Sequence, residues 1–300
     1  MIERIYKKIT REIGNVQRRR IAGRVTALRP SPPADARVPF SVHALVCKRD
    51  VNMAICSAKS LNLAAGRALP WFFHDDGSLG DREVKRLEYH FPGCTVLTRA
   101  YADAQLQLVL APFPLVRETR RQYVMMRKLV DLVFFAPRER VLCVDTDILF
   151  FQHPAQLLEG GRSNLFNRDI ANSYLYPPEE LLAFTGIPVL ERVNAGLSSL
   201  WKDAFGIEAM ERVLGQIPLR ENLIYHRIEQ TLVALLATAS AGGAAHLGPA
   251  YDVSYDKPVG PAVCKHYVGA IRPRFEREGL VYLLDALQFE ARWNQFAEPS

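Results

Sequence analysis

Val141 to Phe151 reads VLCVDTDILFF, and every residue in it is apolar except Asp145, Thr146 and Asp147. A short apolar run of this kind reads as a strand buried in a sheet. Two carboxylates one residue apart repel each other, and burying either without compensation is expensive. The strand is expected to end at Val144, which sets Asp145 and Asp147 at the carboxyl end of a parallel sheet, where open α/β folds bind their ligands. With an extended backbone through this point, residues two apart share a side, so both carboxylates converge and Thr146 faces away. A divalent cation would remove the repulsion. Oxygen donors of this kind suit Mg²⁺ or Mn²⁺ shared with a substrate diphosphate. The same D-x-D spelling also serves ordinary turns and N-caps, and its place directly behind a buried strand favours the metal.

Working outward, the pattern alternates. Apolar runs Val42 to Cys47, Leu69 to Phe73, Cys94 to Leu97 and Val141 to Val144 are separated by helical stretches Asn52 to Gly66, Asp81 to His90 and Glu118 to Leu132. Strands and helices in this order predict an α/β fold, a Rossmann-like, mostly parallel sheet with helices on both faces. The second half is less regular: a strand Asn194 to Trp201, helices Ala204 to Leu214 and Asn222 to Ala237, a short strand Val263 to Val268 and an amphipathic stretch Tyr282 to Phe296. The expected organisation is a basic amphipathic helix or tail over residues 1–26, a proline-rich linker over 27–37, and a folded domain over 38–300 with an embellished C-terminal half.

Charge narrows the partners. The chain carries a net +6, and residues 1–24 hold eight basic side chains against two acidic ones, so the rest of the sequence balances. Ile2, Ile5, Tyr6, Ile9, Ile13 and Val16 line one face of that segment at helical spacing. A basic amphipathic helix can lie in an anionic membrane surface, and it can equally pack on its own domain or remain a tail. Basic residues are not interleaved with aromatics on the body, so nucleic acid is not an expected partner. Cys47, Cys56, Cys94, Cys143 and Cys264 are odd in number and lack C-x-x-C spacing, which favours reduced thiols. No run approaches the ~20 apolar residues of a membrane span. The expected location is cytoplasmic, with peripheral contact at the inner membrane face.

At this point the residues resemble a family. VLCVDTDILFF is similar to the strand and DxD motif of GT-A glycosyltransferases, in particular the glycogenin-like, galactosyltransferase-type retaining enzymes of the nucleotide-diphospho-sugar transferase superfamily. Arg192-Val193-Asn194-Ala195-Gly196-Leu197 resembles the N-[SA]-G motif beside the donor sugar. Glu229-Gln230 resembles the D-Q pair, with glutamate for aspartate. Lys265-His266-Tyr267-Val268-Gly269-Ala270-Ile271-Arg272-Pro273 resembles H-[FY]-x-G-x-x-K-P, with arginine for lysine. Four motifs in order are far more specific than any one alone.

The resemblance implies transfer of a sugar from a nucleoside-diphosphate sugar, a UDP-hexose, to the hydroxyl of a glycan or glycolipid. Retention of configuration is implied, by same-face attack or through a covalent glycosyl-enzyme. His266 would join Asp145 and Asp147 as the third ligand of Mn²⁺ or Mg²⁺. Arg272 would set a fixed cation on the diphosphate, with a planar grip that lysine lacks. Asn194, Ala195, Gly196 and Gly269 would line the donor, with Gly196 letting the sugar approach the backbone. Glu229 and Gln230 would hydrogen-bond the far side of the sugar, and Glu229 is also the acid placed to act on the reacting face, though not as a nucleophile. Either Arg127 or Lys128 would reach the sugar and phosphates. Val46, Cys47, Asp75, Asp76 and Thr146 would face the nucleoside, although D-D-G-S is also an ordinary turn.

Two other classes compete. A sugar nucleotidyltransferase needs a glycine-rich loop after the first strand, and CKRDVNMAIC has no glycine. A GT-A-fold binding or scaffold protein would need no catalysis, and Glu229 and Arg272, where the pattern has Asp and Lys, leave room for it. Assembly of a cell-surface polysaccharide or glycolipid is the expected setting.

Overall fold

The computed structural model describes residues 16–17, 19–219 and 227–298. Ten strands occur among them: β1 (Phe40–Val46), β2 (Trp71–Asp75), β3 (Thr95–Leu97), β4 (Arg140–Val144), β5 (Ile148–Phe150), β6 (Asn164–Arg168), β7 (Val193–Trp201), β8 (Ala244–His246), β9 (Tyr251–Asp252) and β10 (Cys264–His266). Seven form one sheet in the order β3-β2-β1-β4-β7-β6-β8, and β5-β10-β9 form a second. The large sheet is parallel apart from β7, which runs antiparallel to both β4 and β6. The strand expected over Asn194 to Trp201 is therefore present, in the reverse direction.

Helices α1 (Val51–Ala65) and α2 (Asp81–His90) cover one face, in the positions expected from the sequence. Helix α1 ends at Gly66, whose φ of 66° is the left-handed cap conformation glycine takes freely. Helix α3 (Arg99–Val109) follows, then α4 (Pro114–Gln122) and α5 (Val124–Phe135). The single helix expected over Glu118 to Leu132 is thus two, broken at Tyr123. In one straight helix Arg120 and Asp131 would stand about 16 Å apart along the axis. The break instead brings the Arg120 guanidinium to 2.6 Å and 2.9 Å from the two Asp131 oxygens, both groups buried.

Alternation along β4 divides the core. Val141 and Cys143 point to a cluster with α5 and with helices Ile207–Gln216 and Ile228–Ala239, while Leu142 and Val144 point to the α1 side. The start of the helix expected from Asn222 lies outside the described residues. A third cluster joins the small sheet to the C-terminal helices: Leu149, Phe151 and Tyr267 meet Phe275, Phe289 and Trp293. Of the apolar stripe expected along the N-terminal segment only Val16 lies among the described residues, and it is exposed. Ala22 and Val25 of that segment are buried in the third cluster, and Arg24 pairs with Glu290 at 2.8 Å. No helix among the described residues is long and apolar enough to cross a membrane.

Residues 27–37 lie against this body through polar contacts. The Lys59 ammonium donates to the carbonyls of Leu28 and Arg29, each at 2.9 Å. Asn62 is the hub: its amide nitrogen donates to Ser31 Oγ at 3.1 Å, and its oxygen accepts from Trp71 Nε1 at 3.0 Å and the Leu69 amide at 3.3 Å. With Asn62 replaced by alanine, two buried donors lose their acceptor. Urea unfolding of Asn62→Ala should show a loss of about 2–4 kcal/mol, and a loss below about 0.5 kcal/mol would mean that the hub carries no such weight.

Candidate functional site

Strand β4 stops at Val144 and the chain turns. The Ile148 amide donates to the Asp145 carbonyl at 3.3 Å, and the Asp145 amide donates to the Gly196 carbonyl of β7 at 2.7 Å. Asp145 and Asp147 therefore converge across a turn, a correction to the extended backbone expected from the sequence. Thr146, inside that turn, is buried. Strand β5 then leaves into the small sheet, where β10 pairs antiparallel with it, His266 opposite Ile148. The Tyr267 amide donates to the Asp147 carbonyl at 2.9 Å. These two connections bring one ligand atom each from Asp145, Asp147 and His266 within 4.8 Å of one another.

The imidazole is oriented from behind. His266 Nδ1 lies 3.1 Å from Asn194 Oδ1, an oxygen that also accepts from the Gly196 amide at 3.0 Å. The Asn194 amide nitrogen donates to Asp169 Oδ2 at 3.1 Å, which fixes which end of the amide is oxygen. An acceptor at Nδ1 means that Nδ1 carries the proton, so Nε2 is the nitrogen that faces the carboxylates. Nε2 lies 3.1 Å from Asp147 Oδ1 and 3.8 Å from Asp145 Oδ2. Protonated, it pairs with Asp147; neutral, it offers a lone pair to a cation. Burial works against the charge on Asp147, but His266 and Arg272 offset it and hold the carboxyl below its usual range.

Gly196 makes this closeness possible. A Cβ there would lie 2.2 Å from His266 Cε1 and 2.6 Å from Asp145 Oδ2. The space over Gly196, expected to admit a sugar ring, is taken by the imidazole and the carboxylate. Ala195 beside it donates its amide to Gln230 Oε1 at 3.3 Å, and Gln230 donates in turn to the Ser173 carbonyl at 3.3 Å.

Lys128 and Arg127 separate cleanly. Lys128 is buried with Nζ 2.7 Å from Asp145 Oδ1 and 4.0 Å from Glu229 Oε1. Burial opposes its charge, yet Asp145 foremost, then Cys143 and Glu229, lifts its pKa above the ordinary lysine value. Arg127 faces elsewhere, donating to the Asp76 carbonyl at 2.8 Å. Glu229 is also buried, and burial pushes its carboxyl up to about 7, opposed by Lys128 and reinforced by Asp145. At 4.0 Å from Lys128, against 2.7 Å for Asp145, Glu229 is the weaker partner of that ammonium.

Arg272 reaches the site from a turn that begins at Gly269, where φ is +47°, a left-handed conformation natural to glycine. Its guanidinium bonds to Asp50 and lies 3.5 Å from Asp147 Oδ2. Asp50 was not singled out in the sequence. It sits after β1 within CKRD, where it accepts from Cys47 Sγ at 3.1 Å and from Arg49 Nε at 2.9 Å. An isolated aspartate in a loop read only for missing glycines gave no signal; its partner is more than two hundred residues away. Asp169 acts through Asn194, 25 residues on, and no motif in the sequence marks it.

Val46 pairs in register with Asp75, so the ends of β1 and β2 lie side by side. Asp75 Oδ1 accepts from the amides of Gly77 at 2.7 Å and Leu79 at 3.0 Å, while Asp76 Oδ1 accepts from Ser78 Oγ at 2.5 Å. Both carboxylates thus accept from donors in or near the D-D-G-S turn, as carboxylates in ordinary turns do.

The donor set fits a hard divalent cation: two carboxylates and an imidazole whose far nitrogen is anchored. The architecture around it is the GT-A glycosyltransferase fold. Galactosyltransferase LgtC, solved with donor and acceptor sugar analogues, superposes with a TM-score of 0.51 at 12% identity, over 87% of this chain and 97% of that one. The bifunctional glycosyltransferase WbbM superposes with a TM-score of 0.53 at 10% identity over 89% of this chain, which spans 53% of WbbM. The glycosyltransferase GlyE of Streptococcus pneumoniae gives a TM-score of 0.51 at 12% identity, over 88% of this chain and 66% of its own. No family model and no curated protein matches the sequence.

Replacing Gly196 by alanine should displace His266 and Asp145 together and weaken Mn²⁺ binding about 10-fold or more, as read by calorimetric titration; unchanged affinity would mean that the close approach has no part in it. Glu229 makes a pH prediction. Its folded carboxyl titrates near 7 and its unfolded value is 4.5, so the native state holds the extra proton between these limits. Stability is full below pH 4.5 and falls as pH rises towards 7, by at most on the order of 3 kcal/mol. Glu229→Gln should flatten that slope in urea titrations across the window, and a slope equal to wild type would assign the effect elsewhere.

Proposed function

We propose that the chain is a metal-dependent glycosyltransferase that moves a hexose from a nucleoside-diphosphate sugar, a UDP-hexose, to a hydroxyl acceptor with retention of configuration. The observation that carries this reading is the convergence of Asp145, Asp147 and His266 at the carboxyl end of the central strand of a GT-A fold. Those three side chains would hold Mn²⁺ or Mg²⁺. When bound, the cation supplies Lewis-acid stabilisation of the negative charge that grows on a departing diphosphate.

The remaining roles belong to the chain itself. Asn194 keeps the His266 ring in the tautomer that presents Nε2, with Asp169 holding the amide in place. Arg272 adds a fixed guanidinium beside Asp147 and grips diphosphate oxygens in a plane. Lys128 offsets the charge of Asp145 and stands between it and Glu229, so that the reacting face keeps a buried cation. Glu229, with its raised pKa, moderates that cation rather than acting as nucleophile. Gln230 steadies the β7 backbone at Ala195. Residues 38–300 form the catalytic domain in this reading. Residues 1–24, which hold the whole net charge, would touch an anionic membrane face from the cytoplasm during assembly of a surface polysaccharide or glycolipid.

Thermal unfolding with UDP-glucose and UDP-galactose tests the donor, because a ligand of the native state raises its midpoint. The midpoint should rise with nucleotide sugar and Mn²⁺ together, and Mn²⁺-dependent hydrolysis of the nucleotide sugar should vanish in Asp147→Ala with folding intact. Binding without hydrolysis or transfer would favour a scaffold on the same fold. No shift with any nucleotide sugar would overturn the donor assignment.

A further inference from the structure

Beyond the Asn194–Asp169 contact lies a cavity of about 390 Å³ that none of the roles above uses. Its walls come from the end of β6 (Arg168, Asp169), from Arg192 before β7, and from the segment His246–Lys257 that contains β9. Strand β9 pairs with β10, the strand that carries His266. Asp169 lines the cavity and is joined to His266 through Asn194 by two hydrogen bonds of 3.1 Å. The cavity therefore adjoins the candidate metal ligands through Asn194, and neither Arg272 nor Asp50 lines it.

Its electrostatics are one-sided. Arg168, Arg192 and Lys257 all line it, all are exposed, and among the described residues none of the three makes a side-chain hydrogen bond or ion pair. The two carboxylates in the wall are already engaged. Asp252 Oδ2 takes the buried Lys265 ammonium at 3.0 Å and Oδ1 takes the Ser254 amide at 2.9 Å. Asp169 takes the Ile170 amide at 2.7 Å besides Asn194. Arg192 is also pinned in a rare conformation: its φ is 57°, its amide donates to Asn172 Oδ1 at 2.6 Å, and its carbonyl accepts from the Asp169 amide at 2.7 Å. Left-handed arginine is costly, and such strain persists where the surroundings enforce it and gathers at ligand sites. Tyr251 and Pro249 add apolar surface in the same wall, against which a sugar ring can lie.

We propose that this cavity binds the acceptor and that the acceptor is an acidic saccharide, one carrying a carboxylate or a phosphate held by Arg168, Arg192 and Lys257. The word acceptor rests on the glycosyltransferase reading; the preference for an anionic sugar rests on the cavity alone. In the transfer, an acceptor hydroxyl oxygen forms the new bond to the anomeric carbon, the diphosphate leaves with the old bonding pair, and the hydroxyl proton passes to the diphosphate. The anion itself is unchanged and serves to seat the ring.

The test is calorimetric titration of the full chain with methyl glucuronide, glucose 6-phosphate and neutral methyl glucoside, each with and without UDP and Mn²⁺. One or both acidic probes should bind about tenfold tighter than the neutral one; which of them does so identifies the anion. The preference should vanish in Arg168→Gln/Lys257→Gln and, separately, in Arg192→Gln, variants whose thermal midpoints report that they fold. Equal binding of acidic and neutral probes, or a preference that survives both variants, overturns the proposal. UDP and Mn²⁺ binding in the same titrations keeps the two readings apart: nucleotide binding without charge discrimination sinks the inference alone, and discrimination without nucleotide binding sinks the donor assignment while the anion site stands.

Discussion

The pairing of β5 with β10 is the constraint on which the site depends. Val144 ends the central strand of the large sheet and Ile148 opens the small one, so the turn between them joins both. Antiparallel pairing sets His266 opposite Ile148, next to Asp147. A slip of one residue would turn His266 to the opposite face and leave the carboxylates facing each other without it. Burial protects the register: Ile148, Leu149, Phe150 and Cys264 are all buried, and a slip would expose part of that apolar set.

Around this joint the charges are matched one by one. Asp145 has Lys128, Asp147 has His266 and Arg272, and Asp50 has Arg272 and Arg49. These are partly or wholly buried groups, for which an unmatched charge would be costly. Lys128 and Arg272 thus offset part of the acidic cluster's charge within the chain itself. Burial raises the pKa of Glu229, and Lys128, at 4.0 Å, offsets that only in part.

Local signals in the sequence and long-range ones differed in how far they could be read. The apolar runs that became β1, β3 and β4 and the periodic stretch that became α2 carry their structure in their own residues, and so did the order of motifs from the D-x-D pair to His266. The break at Tyr123 did not, because its cause is the buried Arg120–Asp131 contact between two helices. The convergence of the two aspartates was foreseen for the wrong reason: alternation along a strand was invoked where a turn does the work. Gly196 was expected to make room for a sugar, and it makes room for His266. Asp50 matters through Arg272, 222 residues on, and Asp169 through Asn194 on the neighbouring strand, pairings that composition and spacing do not reveal.

The bond between Arg272 and Asp50 joins the loop after the first strand to the turn after the last. An anion arriving at Arg272 must take the guanidinium from a carboxylate that already holds it. A free anion would have only that exchange to gain from, whereas a ligand anchored elsewhere would bring its charge at high local concentration. In the glycosyltransferase reading proposed above, the internal bond would act as a threshold that disfavours small free anions and admits those delivered by a larger molecule.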